Sequence, residues 1–124
     1  MEFDQFKWKN RLLFIFAPDV SHPVFDALKK EISARKTDVA DRDLVIFEIL
    51  EAGSSRIDEK PIDLQTANRL RERFAIPIGR FAVILVGKDG GTKLQRQEET
   101  RLEDIFGLID SMPMRQQEIR KKAN

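Results

Sequence analysis

Three nearly continuous apolar runs constrain the fold of this chain more than any other feature: Leu12–Ala17, Leu44–Leu50 and Phe81–Val86. Their length suits a β-strand and is far too short to span a membrane. Because apolar residues follow one another instead of alternating with polar ones, both faces of each strand are expected to be buried. The pattern therefore predicts the centre of a sheet that helices cover on both sides.

One helix is predicted between the first two strands. Its apolar positions recur at helical spacing and are Val24, Phe25, Leu28 and Ile32. Ser21 is the predicted N-cap, and Pro23 falls in the first turn, where its missing N–H costs little. A strand, a helix and a second strand form a βαβ unit, so the two strands are expected to be parallel with a right-handed crossover.

The next part of the chain predicts a second helix and a β-hairpin. Residues 53–61 have the composition of a loop, and Asp63 is the predicted cap of a helix whose inner face is Leu64, Ala67, Leu70 and Phe74. The glycine-rich segment Gly87–Gly91 predicts a tight turn after the third apolar run. The alternating segment that follows, Thr92–Arg96, is typical of an edge strand.

A closing helix is predicted near the C-terminus. Thr100 and Glu103 have the spacing of a capping box at its start. Its core positions are Leu102, Ile105, Phe106 and Ile109. Pro113 is expected to interrupt the helix, and residues 114–124 predict only a short basic helical turn.

The predicted order is β-α-β-α-β-β-α, which is the thioredoxin topology. We expect one thioredoxin-like α/β domain over residues 1–124, with a central four-stranded mixed sheet and helices on both faces. A flavodoxin-like fold would need five parallel strands, and only four strands are predicted in total.

The segment Phe16–Pro23, FAPDVSHP, resembles the one that follows the first core strand of thioredoxins, where that family has Trp-Ala-x-Trp-Cys-Gly-Pro-Cys. In this register Val20 and Pro23 stand at the two cysteine positions. The chain contains no cysteine, so thiol–disulfide oxidoreductase and peroxidase activities are not expected, because both need a thiolate. The cis-proline of that family has one candidate, Pro77, which lies several residues too early.

A wider resemblance rests on segments spread over most of the chain. They are Trp8–Leu13, Phe16–Pro18, Leu85–Gly90 and Ile109–Arg115, followed by Glu118. In this order they resemble a bacterial thioredoxin-like domain of unknown function, related to the DUDES group of domains in vertebrate matrix proteins such as the sushi-repeat proteins. The resemblance implies the thioredoxin-like fold and interactions with proteins or matrix. It implies no established activity, cofactor or catalytic residue.

The first candidate site is the turn after the first strand. Its candidate ligand-binding residues are Asp19, Val20, Ser21, His22 and Pro23, together with Arg80. Ligands of open α/β sheets bind at the carboxyl ends of strands, and free N–H groups at a helix start attract anions. His22 is the only histidine and could serve as a base or a hydrogen-bond donor. The alternative is a structural turn in which Ser21 caps the helix and His22 is solvated.

Further segments are weaker candidates, and each has a structural alternative. Met114 and Arg115 are candidate partner-surface residues, since methionine makes adaptable contacts, whereas Met112 is expected to close the core. Gly87–Gly91 lacks the spacing of a phosphate-binding P-loop and fits a hairpin turn. Trp8 with its basic neighbours could stack on single-stranded nucleic acid, but packing over the core entrance is expected.

Charge and residue types narrow the function classes. The 22 basic and 21 acidic residues leave a net charge of +1, which gives no field to attract nucleic acid or a membrane surface. One histidine, no cysteine and scattered carboxylates form no recognisable metal site, and no cofactor is predicted. The charged N-terminus lacks a signal-peptide pattern, so a cytoplasmic protein is expected, with a mature periplasmic or secreted form left open.

Three functions remain open. The first is a non-redox thioredoxin-like binding or interaction module for a protein partner or a small anionic ligand. The second is a cysteine-independent enzyme that uses the Asp19–His22 turn at the former thioredoxin active-site position. The third is an assembly element that pairs through the edge strand Thr92–Arg96.

Overall fold

A computed structural model of the chain describes residues 3–123. Within this range the strands are β1 (Arg11–Ala17), β2 (Leu44–Leu50), β3 (Arg56–Ile57), β4 (Lys60–Pro61), β5 (Ala82–Val86) and β6 (Thr92–Arg96). The helices are α1 (Pro23–Ala34), α2 (Lys36–Asp41), α3 (Leu64–Arg73), α4 (Leu102–Asp110) and α5 (Pro113–Ala123).

The strands form one sheet in the order β4-β3-β2-β1-β5-β6. β1 and β2 are parallel along their full length, from Arg11 opposite Leu44 to Ala17 opposite Leu50. β5 runs antiparallel to β1 and forms the predicted hairpin with β6. The prediction of a thioredoxin-like α/β fold is therefore confirmed. β3 and β4 extend the sheet beyond β2 in the predicted loop, because strands of two residues leave no alternation to detect.

Side chains of β1 alternate between two apolar cores, one on each face of the sheet. Leu13 and Ile15 pack into the core formed with α1, α2 and α4, and Phe14 packs into the core formed with α3. Every residue of β1 is buried, which confirms the expectation from its apolar run. Each large apolar side chain that is fully buried stabilises the fold by about 1.5–3 kcal/mol. Glu48, the charged residue of β2, is paired with Lys29 of α1 at 3.0 Å.

One of the predicted helix caps is confirmed, and the cap predicted for α1 is wrong. Asp63 caps α3, since its carboxylate accepts a hydrogen bond from the Thr66 N–H at 2.7 Å. The N-cap of α1 is His22 and not Ser21. The Ser21 hydroxyl donates instead to the Asp19 carboxylate at 2.5 Å, so it is not available to the first turn of the helix.

The capping box predicted at the start of α4 is also wrong. The N-cap is Arg101, and the Thr100 hydroxyl donates to the Glu98 carbonyl at 3.0 Å. The Leu102 N–H at the start of the helix donates to the Glu31 carboxylate of α1 at 3.2 Å. A cap that comes from a distant helix leaves no signal in the local sequence.

Three helical features differ from the prediction. The connection between β1 and β2 contains a second helix, α2. Leu64 in α3 is exposed and does not belong to the inner face of that helix. Pro113 begins the eleven-residue helix α5, because proline is well accommodated at the first helical position. Among residues 3–123, no helix has the length and apolar character needed to cross a membrane.

Candidate functional site

The Asp19–Pro23 turn lies at the carboxyl end of β1. The Asp19 carboxylate accepts hydrogen bonds from the Ser21 hydroxyl at 2.5 Å and from the Ser21 N–H at 2.9 Å. These two bonds lower the pKa of Asp19 below its usual value, and the bond from the Ser21 hydroxyl has the larger effect. The Asp19 carboxylate therefore stabilises the turn through hydrogen bonds within the turn itself.

His22 is held by stacking and not by a hydrogen bond that would orient it for catalysis. Its half-buried ring lies parallel to the Phe81 ring, with centroids 5.8 Å apart and an interplanar angle of 11°. Its Nδ1 is buried and has no hydrogen-bond partner among residues 3–123. Val20 and Arg80 are exposed at the same edge of the sheet. Surface cavities of 340–450 Å³ lie elsewhere in the described range, and no residue of the turn lines these cavities.

The loop before β5 completes this edge of the sheet. The peptide bond at Pro77 is trans, since residues 3–123 contain no cis peptide bond. The Gly79 N–H donates to the Glu51 carboxylate at 2.7 Å, which ties the loop to the end of β2. Ile78 is 75% exposed. The thioredoxin-like cis-proline therefore has no counterpart in the described residues.

Paired charges are concentrated at the opposite edge of the sheet, where β1 and β2 begin. Arg11 is 1% exposed, and its two terminal nitrogens donate to the Glu118 carboxylate at 3.2 and 3.1 Å. Lys88 is 8% exposed and donates to Glu118 at 2.8 Å and to Asp43 at 2.9 Å. Burial raises the pKa of Glu118, but the hydrogen bonds from Arg11 and Lys88 outweigh this effect and lower it.

Arg115 extends this arrangement from α5 to α2 and α4. Its buried guanidinium donates to Asp41 at 2.7 Å and to Asp110 at 3.0 Å. Arg42 also binds Asp110, at 3.1 and 2.8 Å. Hydrogen bonds from Lys122 and then Arg115 lower the pKa of Asp41 to about 2. Burial raises the pKa of Asp110, but the two arginines outweigh it and lower the pKa overall.

These side chains form one unit, which we call the ionic cluster. Its members are Arg11, Asp41, Arg42, Asp43, Lys88, Asp110, Arg115, Glu118 and Lys122. Arg115 is the buried residue of α5, and the other residues of that helix are mostly polar and largely exposed. Ion pairs of Arg115, Glu118 and Lys122 link α5 to the rest of the domain.

A groove of about 340 Å³ lies beside the ionic cluster. Trp8, Met112, Pro113 and Met114 contribute its apolar walls, and Arg11 and Lys88 belong to both the groove and the cluster. Every lining residue except Lys93 belongs to the segments on which the wider resemblance rests. We call this site the motif groove. The segments are distant in the sequence, and the fold brings them to one place.

Trp8 stands at the rim of the motif groove, 60% exposed, so the expected packing over the core entrance is wrong. Its φ of 69° lies in the left-handed region, which costs a residue with a Cβ about 1–2 kcal/mol. The Trp8 N–H donates to the Lys88 carbonyl at 2.6 Å and holds this conformation. The Lys7 ammonium lies 5.6 Å from the centre of the Trp8 ring. The backbone thus presents a large aromatic ring to solvent.

The hairpin loop Gly87–Gly91 forms the tight turn that the sequence predicts. Gly90 has a φ of 86°, and its N–H donates to the Gly87 carbonyl at 3.0 Å. The Asp89 carboxylate accepts from the Gly91 N–H and from Lys93, each at 2.9 Å. Lys88 is engaged by carboxylates of the ionic cluster, so the loop does not offer a lysine to a phosphate.

Sequence reasoning found parts of the motif groove but not the groove itself. Met114 is partly exposed in the wall of the groove, whereas Arg115 is buried in the ionic cluster and does not line the groove. A usable signal was present in the positions of Arg11 and Asp43. Arg11 is the first residue of β1, and Asp43 directly precedes β2. Because these two strands are parallel, they begin at the same edge of the sheet, which brings the two charged residues to the same place.

Residues 2–118 match a family model described as Domain of unknown function (DUF4174). The chain belongs to this family. Sushi repeat-containing protein SRPX2 is 29% identical in Rattus norvegicus, over 97% of this chain and 26% of that protein, and 29% identical in Homo sapiens, over 96% and 26%. Coiled-coil domain-containing protein 80 from Danio rerio is 24% identical over 93% of this chain and 15% of that protein.

These matches confirm the resemblance to a thioredoxin-like domain of unknown function with relatives among sushi-repeat proteins. The DUF4174 chain spans about a quarter or less of the length of these relatives. The relatives are animal proteins, so a bacterial origin stays a prediction.

Two solved structures share the fold. The Plasmodium vivax 2-Cys peroxiredoxin superposes with a TM-score of 0.70 at 10% identity, over 94% of this chain and 85% of that chain. Thioredoxin peroxidase I of Plasmodium yoelii superposes with a TM-score of 0.65 at 11% identity, over 94% and 80%. At this level of identity the likeness shows the thioredoxin-like fold alone, because one fold hosts many functions.

Proposed function

We propose that this DUF4174 domain is a non-redox binding module and that the motif groove is its binding surface. The observation that carries the proposal is the convergence of three distant segments, those of Trp8, Lys88 and Met114, on one groove with an exposed aromatic rim. The chain has no cysteine, so the thiol chemistry of the shared fold is absent from it.

The ionic cluster supports a preorganised groove. Arg11 and Lys88 line the groove and are each fixed by Glu118, while Arg115 anchors α5 at the helix end that carries Met114. Side chains that are already fixed lose little conformational entropy when a partner binds. A rigid surface of this kind suits recognition without chemistry.

We propose that the occupant is a segment of another protein that places an apolar side chain beside a carboxylate. The Trp8 ring and the methionine side chains of the walls suit an apolar group, because both residue types make large adaptable contacts. Lys7 and Lys9 are exposed next to Trp8 and add positive charge at the rim. Asp89 is the opposing charge there, and it is already paired with Lys93. Charge complementarity therefore favours an acidic partner segment.

The test is a titration of the isotopically labelled protein with short blocked peptides that contain a Leu-Glu pair, and with matched peptides that contain Leu-Gln. We expect saturable shifts at the Trp8 indole and at the methyl groups of Met112 and Met114, weaker by about tenfold for the Leu-Gln peptides. Trp8→Ala should abolish binding, and His22→Ala should not change it. Absence of saturable shifts with every peptide would overturn the proposal.

An enzyme at the Asp19–His22 turn is a weaker proposal. The Nδ1 of His22 has no hydrogen-bond partner among the described residues, which favours this proposal, and because the atom is buried a substrate reaches it only after the side chain moves. The Asp19 carboxylate, however, is engaged by Ser21, and the cavities of 340–450 Å³ described above do not reach the turn. In the same titration, shifts confined to residues 19–24 and to Arg80, lost in His22→Ala, would favour this function over the groove.

A further inference from the structure

Arg71 differs from the other buried basic side chains of the described range. The other buried basic residues are Arg11, Lys88 and Arg115, and each of these three is paired with at least one carboxylate. Arg71 is 8% exposed and forms no salt bridge with any residue between 3 and 123. Its Nη1 donates to the Asn68 side chain at 3.1 Å, and its Nη2 is buried with no hydrogen-bond partner.

The fold itself supplies only part of the missing counter-charge. Arg71 lies in the last turn of α3, where the helix dipole contributes about half an elementary negative charge. A buried guanidinium is stable in proteins when it is paired and hydrogen-bonded on most of its edges. The remaining requirement is an anion within reach of this side chain.

A cavity of about 430 Å³ lies beside Arg71. Ala75, Ile76 and Ile78 give it apolar walls, and Asn68 and Glu72 also line it. The loop that forms the walls is shaped by Ala75, whose φ is 54°, and it ends at Gly79, which Glu51 fixes. The volume falls in the range of about 300–1,000 Å³ that is typical of small-molecule sites. The cavity shares no lining residue with the motif groove.

We propose that this cavity binds a carboxylate ligand with a short apolar body, whose carboxylate pairs with Arg71. The guanidinium and a carboxylate match in charge and planar geometry. The apolar body packs against Ile76 and the exposed side chain of Ile78. Glu72 also lines the cavity, and its negative charge repels the carboxylate of the ligand, so it lowers the affinity of the site for that ligand.

The experiment is a chemical-shift titration of the full chain with hexanoate, followed at the Arg71 Nε–H and at the amides of residues 75–79. Acetate lacks the apolar body, and hexanamide lacks the charge. We expect saturable shifts with hexanoate and binding weaker by about tenfold or more with either control. No saturation up to about 50 mM hexanoate, or equal shifts with hexanamide, would overturn the proposal.

Variants separate this role from a structural one. Arg71→Met should lose hexanoate binding, while Arg69→Met, an exposed position on the same helix, should keep it. Glu72→Gln should tighten binding several-fold and does not disturb the buried arginine, so it tests the proposal even where Arg71→Met fails to fold. Unchanged affinity in Glu72→Gln, or unchanged affinity in a folded Arg71→Met, would refute the site.

Two sources can supply such a carboxylate, a free small acid or the C-terminus of a peptide. N-acetyl-Ala-Leu with a free carboxylate, compared with its amide, distinguishes them. Binding tighter than hexanoate by about tenfold, and lost in the amide, assigns a peptide C-terminus. Binding no tighter than hexanoate assigns a small free acid. Both results support the Arg71 site and leave the motif groove unaffected.

Discussion

The two edges of the sheet are held together in different ways. At the carboxyl end of β1, the turn is closed by Asp19 and Ser21, two positions apart in the sequence. At the amino end, the ionic cluster joins Arg11 to Glu118, which are 107 positions apart, and Lys88 to Asp43, which are 45 apart. The edge that resembles a thioredoxin site is thus a local turn. The ion pairs that join the most distant positions in the sequence lie at the other edge.

This difference predicts how each edge responds to substitution. A local turn loses one or two exposed hydrogen bonds when a residue changes. In the ionic cluster one carboxylate serves several cations, so the removal of Glu118 leaves Arg11 without a carboxylate and Lys88 with Asp43 alone. Effects on stability should therefore be large and non-additive at the amino edge and small at the carboxyl edge.

The largest effect is expected for Glu118→Ala. The change leaves Arg11 and Lys88 buried without a shared carboxylate, which should lower the free energy of unfolding by about 3 kcal/mol. Urea denaturation measures the loss. The exposed residue Glu99, changed to Ala, is the control and should alter stability by less than about 0.5 kcal/mol. A loss below about 1 kcal/mol in Glu118→Ala would show that the cluster is not what stabilises this edge.

Acid should release α5 from the domain. Asp41, Asp110 and Glu118 have lowered pKa values, so their stabilisation is present above the unfolded-state pKa and is lost as pH falls through the folded one. For Asp41 this window runs from 3.8 to about 2. Its share is about 1 kcal/mol after allowance for solvent screening. Amide spectra recorded from pH 6 to pH 2 follow the release.

Asp41→Asn is the control for the acid transition, because it removes one titrating group and leaves the fold otherwise comparable. Its stability should depend less steeply on pH than that of the unchanged chain between about pH 4 and pH 2. A pH dependence as steep in Asp41→Asn as in the unchanged chain would contradict the role given to Asp41.

At Trp8 the expected effect is smaller and depends on the backbone. Trp8→Gly should be more stable than Trp8→Ala by about 1 kcal/mol, because glycine adopts a φ of 69° without the Cβ penalty. Thermal unfolding of the two variants measures the difference. Both variants lose the ring at the rim of the motif groove, so both should lose peptide binding. Equal stability would mean that the left-handed conformation carries no strain.

The smallest change is expected for His22→Ala at the carboxyl edge. The ring stacks on Phe81 and contributes about 0.5–1 kcal/mol through that contact. His22→Phe keeps the stacking and should restore most of the loss. Urea titration of both variants checks this expectation. A loss above about 2 kcal/mol in His22→Ala would make the two edges comparable and remove the contrast between them.

Much of the fold was predictable because its signals are local. The apolar runs predicted β1, β2 and β5, and the alternation after Gly91 predicted β6 with its observed bounds. The cap of α4 was not predictable, because Glu31 supplies it from α1. β3 and β4 also escaped detection, since two residues are too few for a periodic pattern.

The candidate site also contains local features, which the sequence predicts, and long-range contacts, which it does not predict. A turn at Asp19 was predicted, but its hydrogen bond from Ser21 was not, because Ser21 was expected to cap α1. The ionic cluster was not, because the sequence does not say which carboxylate Arg11 meets. Arg71 gave no signal either, since an arginine in the last turn of a helix is ordinarily solvated.

The contact between Arg11 and Glu118 also has a consequence for folding kinetics. It closes a loop of nearly the whole chain, so it is expected to form after the sheet and helices have assembled. A contact that is absent from the transition state affects the unfolding rate and leaves the folding rate almost unchanged. Glu118→Gln should therefore shorten the lifetime of the native state, while the chain reaches that state as fast as before.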